Sequence, residues 1–272
     1  MSKCKYPTRL DTYGCGCSHN CSYCYARSLL DFRNLWNPLN PRVADINKIK
    51  KQIDKVEPGT VIRLGGMTDC FQAFENAYRV TYKTIQLLNE RRIHYLIVTK
   101  SDMVASDKYL KILDKELAHI QISITSIDDK TAFEYEKAPS TSRRIAAIEK
   151  LYKLGYDVSL RLSPFIFELI DFDVLNKINC DKVLVEFLRV NTFIKRWFKE
   201  IDFSKYTLKQ SNYLHLPLET KIEQLQSITG FKELTVCEDV TEHYEYWKNN
   251  VNPNKDDCCN LYYTEQEIRK VA

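Results

Sequence analysis

Four cysteines fall within one ten-residue stretch, Cys15, Cys17, Cys21 and Cys24, and no other feature constrains this 272-residue chain as tightly. Thiols so close in sequence cannot all be packing residues, so the stretch has to hold something. Cys17, Cys21 and Cys24 form C-x3-C-x2-C, which lets three thiolates from one tight loop converge on one inorganic centre, as iron–sulfur ligation requires. Three ligands leave one iron of a four-iron cluster without a protein thiolate, and an open metal position is where substrate or cofactor chemistry happens. The competing reading is a zinc knuckle that uses Cys17, Cys21, Cys24 and either Cys15 or His19. Zinc sites usually take ligand pairs from separate loops, and the chain has no second C-x2-C.

Ten cysteines with no apolar segment near the N-terminus that could act as a signal peptide point to a reducing compartment, so a cytoplasmic location is expected. No apolar run approaches the roughly 20 residues that a membrane span needs. A net charge of +4 is too small to identify a nucleic-acid partner by itself.

Along the chain, Thr8 to Tyr13 reads as a short strand that leads into the cysteine loop. Ile46, Ile49, Ile53 and Val56 then fall at helical spacing before Pro58-Gly59. Thr60 to Leu64 reads as a buried strand that ends in Gly65-Gly66-Met67-Thr68-Asp69. Helices over Phe74–Glu90, Ser106–Leu117 and Ser142–Leu154 alternate with strands at Ile93–Val98, His119–Ile124, Tyr156–Leu162 and Lys182–Phe187. Strands that alternate with helices of this length argue for βαβ units on a parallel sheet. Beyond Val190 the pattern weakens into an aromatic and basic stretch, followed by a helix from Glu219 to Ile228, a short strand at Leu234–Cys237 and a helix at Val240–Trp247.

The C-x3-C-x2-C spacing with aromatic Tyr23 before the third cysteine resembles the cluster loop of the radical S-adenosylmethionine (SAM) superfamily. The resemblance implies a partial (β/α)6 TIM-type barrel with its chemistry at the C-terminal ends of the strands. Residues 1–190 would form that barrel and residues 191–272 a C-terminal extension covering it. It also implies a [4Fe-4S] cluster on Cys17, Cys21 and Cys24, whose open iron chelates SAM. Reductive cleavage of SAM would give a 5′-deoxyadenosyl radical for hydrogen abstraction, fed by an electron donor of flavodoxin or ferredoxin type. Gly65, Gly66 and Met67, after the second strand, are the candidates to meet the amino group of SAM.

Thr68-Asp69, Thr99-Lys100-Ser101 and Ser123-Ile124-Thr125-Ser126 together look like the spore photoproduct lyase-like branch of the superfamily, which carries SAM contacts over to Thr68, Lys100 and Ser123. Asp69 adds a carboxylate suited to an ammonium or ribose. Arg161, near the end of the fifth strand, and Arg143-Arg144 are candidates to pair a carboxylate. One position departs from the branch: its hydrogen-donating cysteine would fall where this chain has Gly66. Cys70, two residues beyond Thr68, is the thiol that could face the cavity in its place.

Cys237, Cys258 and Cys259 are either buried thiols that close the barrel or ligands of an auxiliary cluster, which would need Cys180 or Cys4 as well. For the substrate, the branch and the aromatic and basic stretch from Phe187 to Tyr213 point to a nucleobase, nucleotide or nucleic acid. The alternatives are a peptide or small metabolite, or a non-catalytic iron–sulfur or zinc protein that binds nucleic acid.

Overall fold

Burial of apolar strand residues on both faces is what a parallel sheet demands, since its crossover helices cover it. The computed structural model, which describes residues 5–261, meets that demand. Seven strands lie in one sheet: β1 (Arg9–Leu10), β2 (Ile62–Leu64), β3 (Tyr95–Thr99), β4 (Ala118–Ile124), β5 (Asp157–Phe165), β6 (Lys182–Phe187) and β7 (Glu233–Val236). Each pairs in parallel with the next in that order. The sequence led us to expect six strands in the barrel, and β7, read there as a last short strand of the extension, joins the same sheet. β4 is buried along its whole length. The architecture is therefore α/β, a curved parallel sheet of partial-barrel type with helices packed outside it.

Local chemistry explains where the helices start and stop. Asp45 caps Ile46–Ile53 by accepting from the Asn47 N–H at 2.8 Å. Thr141–Lys153 ends at Gly155, whose φ of +77° lets the chain turn back while the Tyr156 N–H reaches the Leu151 carbonyl. Two expected helices are shorter than their pattern. Phe74–Glu90 is split at Arg79, which adopts φ 54°, into Glu75–Tyr78 and Val80–Glu90. The buried Glu75 carboxylate then accepts from the Thr81 and Tyr82 N–H groups and caps the second piece. The expected Ser106–Leu117 helix survives only as Asp107–Leu110, because Asp114 turns its carboxylate to the Glu116 N–H and competes with the helical pattern.

The lumen of the sheet is polar where ordinary barrels are filled with branched apolar side chains. Ser123, Arg161, Ser163 and Glu186 all face a cavity at the C-terminal ends of the strands. At the opposite end the chain closes its own floor. Lys182 Nζ donates to the Asn260 carbonyl at 2.9 Å, Gln121 Nε2 to the Cys259 carbonyl at 3.3 Å, and the Tyr6 hydroxyl to Asp257 at 2.5 Å. Cys258, Cys259 and Leu261 pack there against Val61 and Leu96.

Candidate active site at the cysteine loop

The cysteine loop lies over the C-terminal ends of the strands, and three separate segments hold it. The Ser22 N–H donates to the Tyr135 carbonyl at 2.8 Å and the Lys137 N–H to the His19 carbonyl at 2.6 Å. Gln72 accepts from the Ser18 N–H at 2.9 Å, and the Asn37 N–H donates to the Cys15 carbonyl at 2.7 Å. Cys17, Cys21 and Cys24 all line the cavity, and Cys15 does not. Cys24 also caps the Tyr25–Asp31 helix, its sulfur accepting from the Arg27 N–H at 3.4 Å. Among the described residues no three His, Cys, Asp or Glu side chains close on a single ion. The loop thiols instead share one cavity wall. Burial pushes all three thiols up, Cys17 to about 12. Any metal bound there must therefore displace protons.

Tyr23, Gly65, Gly66, Met67, Thr68, Asp69, Lys100, Ser123 and Arg161 are brought to this one cavity. Gly65 has φ +81°, and a Cβ on it would lie 2.7 Å from the Val98 carbonyl oxygen, so only glycine fits the turn out of β2. Lys100 reaches across the strand ends to the Ser163 carbonyl at 2.9 Å, and its ammonium stands 5.4 Å from the centre of the Tyr23 ring.

Asp69 is occupied differently from the sequence reading. It accepts from the Thr99 hydroxyl (2.7 Å), the Lys100 N–H (2.6 Å) and the Phe71 N–H (2.8 Å). His19 Nε2 lies 3.2 Å away, close enough for charge attraction but not aligned as a hydrogen bond. Burial opposes ionisation of Asp69, but His19 and these donors outweigh it and hold the carboxyl below its ordinary range. Asp69 thus braces the cysteine loop against the end of β3.

The arginine candidates also have protein partners. Arg161 donates to Gln121 at 2.7 Å and to Glu186 at 2.5 Å. Glu186 is held at about 2: burial raises it, and Arg161 and Arg189 more than reverse that. Arg143 pairs with Asp102 at the surface. Arg144 is fully buried and pairs with Glu136. Glu136 in turn accepts from the Tyr23 hydroxyl and, at 3.2 Å, from Thr125. The Thr125 hydroxyl of the S-x-T-S run therefore serves this network beneath the loop.

Cys70 has to be corrected. Its thiol does not line the cavity; it is buried beneath the β2 turn near Gly65, with Glu75 and Asp69 close by. Burial, Asp69 and Glu75 all push it up, so a cavity-facing role is not supported. The thiols that do reach the far wall are Cys237, Cys258 and Cys259, with Cys258 beside the other two. Cys180 is not with them: it points to the Val158 and Lys182 carbonyls at 3.6 and 3.4 Å. Cys4 lies outside the described residues. The aromatic and basic stretch divides as well. Phe198 packs edge-on against Tyr23, whereas Lys195, Arg196 and Lys199 are exposed and Arg189 turns into the cavity.

Sequence reasoning did not single out Glu136, Glu186 or Tyr25, or the part played by His19 in the brace. Glu136 meets Tyr23 from 113 residues away, Tyr25 meets Gly66 from 41 and Glu186 meets Arg161 from 25, and no local spacing announces these contacts.

The family model of the radical SAM superfamily matches residues 12–173, which contain the cysteine loop and β2 to β5. An uncharacterised protein of Methanocaldococcus jannaschii is 27% identical over 168 residues, 59% of this chain and 61% of its own length. An uncharacterised protein of Acidianus two-tailed virus is 25% identical over 165 residues, 56% of this chain and 54% of its own length. The chain thus spans somewhat more than half the length of these curated relatives. Among solved structures, a spore photoproduct lyase variant with bound AdoMet and dinucleoside spore photoproduct superposes with a TM-score of 0.62 at 17% identity, covering 92% of this chain and 77% of that one. SuiB of Streptococcus suis bound to S-adenosylmethionine gives 0.57 at 12% identity, covering 89% and 52%. At such identities the likeness is one of fold. The family model covers more than half of the chain and includes the three loop cysteines, and on that match the chain belongs to the radical SAM superfamily.

Proposed function

We propose that this radical SAM enzyme holds a [4Fe-4S] cluster on Cys17, Cys21 and Cys24 and uses SAM bound beside it to abstract hydrogen from a nucleobase or nucleotide substrate. The observation that carries the reading is convergence: the three thiols, the Gly65–Asp69 turn, Lys100 and Ser123 come from four parts of the chain and line one cavity. When bound, the cluster and SAM supply a reductively generated 5′-deoxyadenosyl radical. The chain binds, orients and shields. Gly65 and Gly66 let backbone approach a ligand closely, Lys100 offers a cation to a carboxylate or ribose, and the Tyr23 ring and its packing exclude water behind the loop. A one-electron reductant of flavodoxin or ferredoxin type is the partner such a site needs.

The nucleobase reading is supported by Tyr25, an aromatic ring of the cavity wall 4.4 Å from the Arg189 guanidinium, while Tyr213 lies on the same guanidinium at 5.5 Å. Stacking beside cations is how bases are commonly held. Anaerobic reconstitution followed by iron and sulfide analysis, then SAM cleavage with dithionite, tests the core of the proposal. A chain that binds about four irons and releases 5′-deoxyadenosine supports it, and a chain that loads iron but leaves SAM intact overturns it.

A further inference from the structure

Two arginines line the cavity without an ion-pair partner among the described residues. Arg9 on β1 and Arg63 on β2 stand directly opposite each other in the parallel register, and both face the cavity. Neighbouring strands lie about 4.8 Å apart, so two cations side by side on one face of the pair repel each other. Elsewhere in the same wall such charges are paired, Arg161 with Glu186 and Arg189 with Asp239. Among the described residues neither Arg9 nor Arg63 has an ion-pair partner. Asp11, two residues along, accepts from the Met67 N–H at 3.5 Å instead.

Both side chains are nevertheless placed. Arg63 Nε donates to the Gly65 carbonyl at 3.2 Å, which steadies the guanidinium and leaves its terminal nitrogens unused by that bond. Arg9 lies across Gly66, where a Cβ would meet its Cδ at 2.7 Å, so the second glycine of the doublet gives this arginine its room. Tyr25 stands next to them, its hydroxyl donating to the Gly66 carbonyl at 2.7 Å. Two adjacent guanidinium groups, neither in an ion pair among the described residues, beside an aromatic ring match a doubly charged tetrahedral oxyanion better than a single carboxylate, because Arg forks bind phosphate in two-point fashion and each cation is neutralised.

We infer that Arg9 and Arg63 form a subsite for a phosphate group carried by the substrate. The inference rests on the reading of this cavity as the radical SAM active site. The other source of an anion here is the carboxylate of SAM itself, and the test separates the two. Inorganic phosphate is titrated into the reconstituted full chain, with and without saturating SAM, and followed by 31P line broadening and by thermal unfolding. Phosphate should bind equally well with SAM present, and Arg9→Gln and Arg63→Gln should each weaken it by about tenfold or more. Arg63→Lys, which keeps the charge but loses the planar fork, should fall between. In phosphate-free buffer Arg9→Gln, on an exposed side chain, should unfold no lower than the parent because a repulsion has been relieved. Equal phosphate binding in parent and variants, or a lower unfolding temperature of Arg9→Gln without phosphate, would overturn the subsite. Displacement of phosphate by SAM would assign the pair to the SAM carboxylate and overturn the substrate role. SAM cleavage by the parent is measured alongside. Absence of phosphate binding in a chain that cleaves SAM defeats the subsite alone, whereas phosphate binding without SAM cleavage keeps the subsite and defeats the reading of the cavity.

Discussion

Gly16 sits between two cysteines with the Asn37 carbonyl against it, so a Cβ there would lie 1.9 Å from that oxygen. Both groups are backbone, and neither can swing aside as a side chain can. Gly16→Ala should therefore displace the loop, at a cost of about 1 to 3 kcal/mol, and lower the iron bound per chain while the far-UV circular dichroism is retained. Lys100 and Asp69 should separate from each other. Lys100→Ala leaves the loop's supports intact and should weaken SAM by roughly tenfold to a hundredfold with iron unchanged, read by calorimetry on the reconstituted protein. Asp69→Asn removes the group that ties the loop to β3, so iron loading and SAM affinity should fall together. The spacing of Cys17, Cys21 and Cys24 was legible in sequence because three ligands from one loop leave a local mark. The brace at Asp69 was not, since its partners His19, Thr99 and Lys100 are brought in from 30 or more residues away.

Between elements, the loop's deepest support is the pair formed by Glu136, after the Asp129–Tyr135 helix, and Arg144, in the Thr141–Lys153 helix. Both are buried, and burial opposes the charge on each, yet their mutual attraction keeps Glu136 below and Arg144 above the ordinary range. Arg144→Met strands a buried carboxylate and should cost about 3 to 5 kcal/mol in urea unfolding. Glu136→Gln combined with Arg144→Met should recover part of that loss. An unchanged midpoint in the single variant would show the pair to be dispensable. Helices with a strong apolar period and a terminal glycine, such as Thr141–Lys153, could be read to within a residue or two. The break at Arg79 could not, because no proline or glycine marks it and Glu75, the residue that stabilises it, looks like any acidic helix residue.

For the molecule as a whole, stability should depend on pH through His215. Burial, and next the nearby Lys221, hold this imidazole down to about 4 from an ordinary 6.5, against a smaller opposing pull from Glu238. The unfolded chain therefore binds the extra proton in that window, so stability should be steady above about pH 6.5 and fall as pH drops toward 4. Urea midpoints at about pH 7 and pH 5 measure the drop, and His215→Gln should flatten it. The parallel α/β class was legible in the alternation of strands and helices. The place of β7 was less so, because Glu233–Val236 is a four-residue strand far from its partner in sequence, and only the paired register with β6 reveals it as part of the same sheet.

The strands lie side by side in the order in which the chain is written. A chain leaving the ribosome can thus add one strand at a time to an edge already formed, with no strand waiting for a partner not yet made. The cysteine loop emerges right after the first strand, whereas the Tyr6–Asp257 clasp and the floor it secures come together only when the end of the described chain has been synthesised. Until then the sheet lacks the contacts of Asp257, Cys259 and Asn260, so its floor is the last part that the described chain can supply.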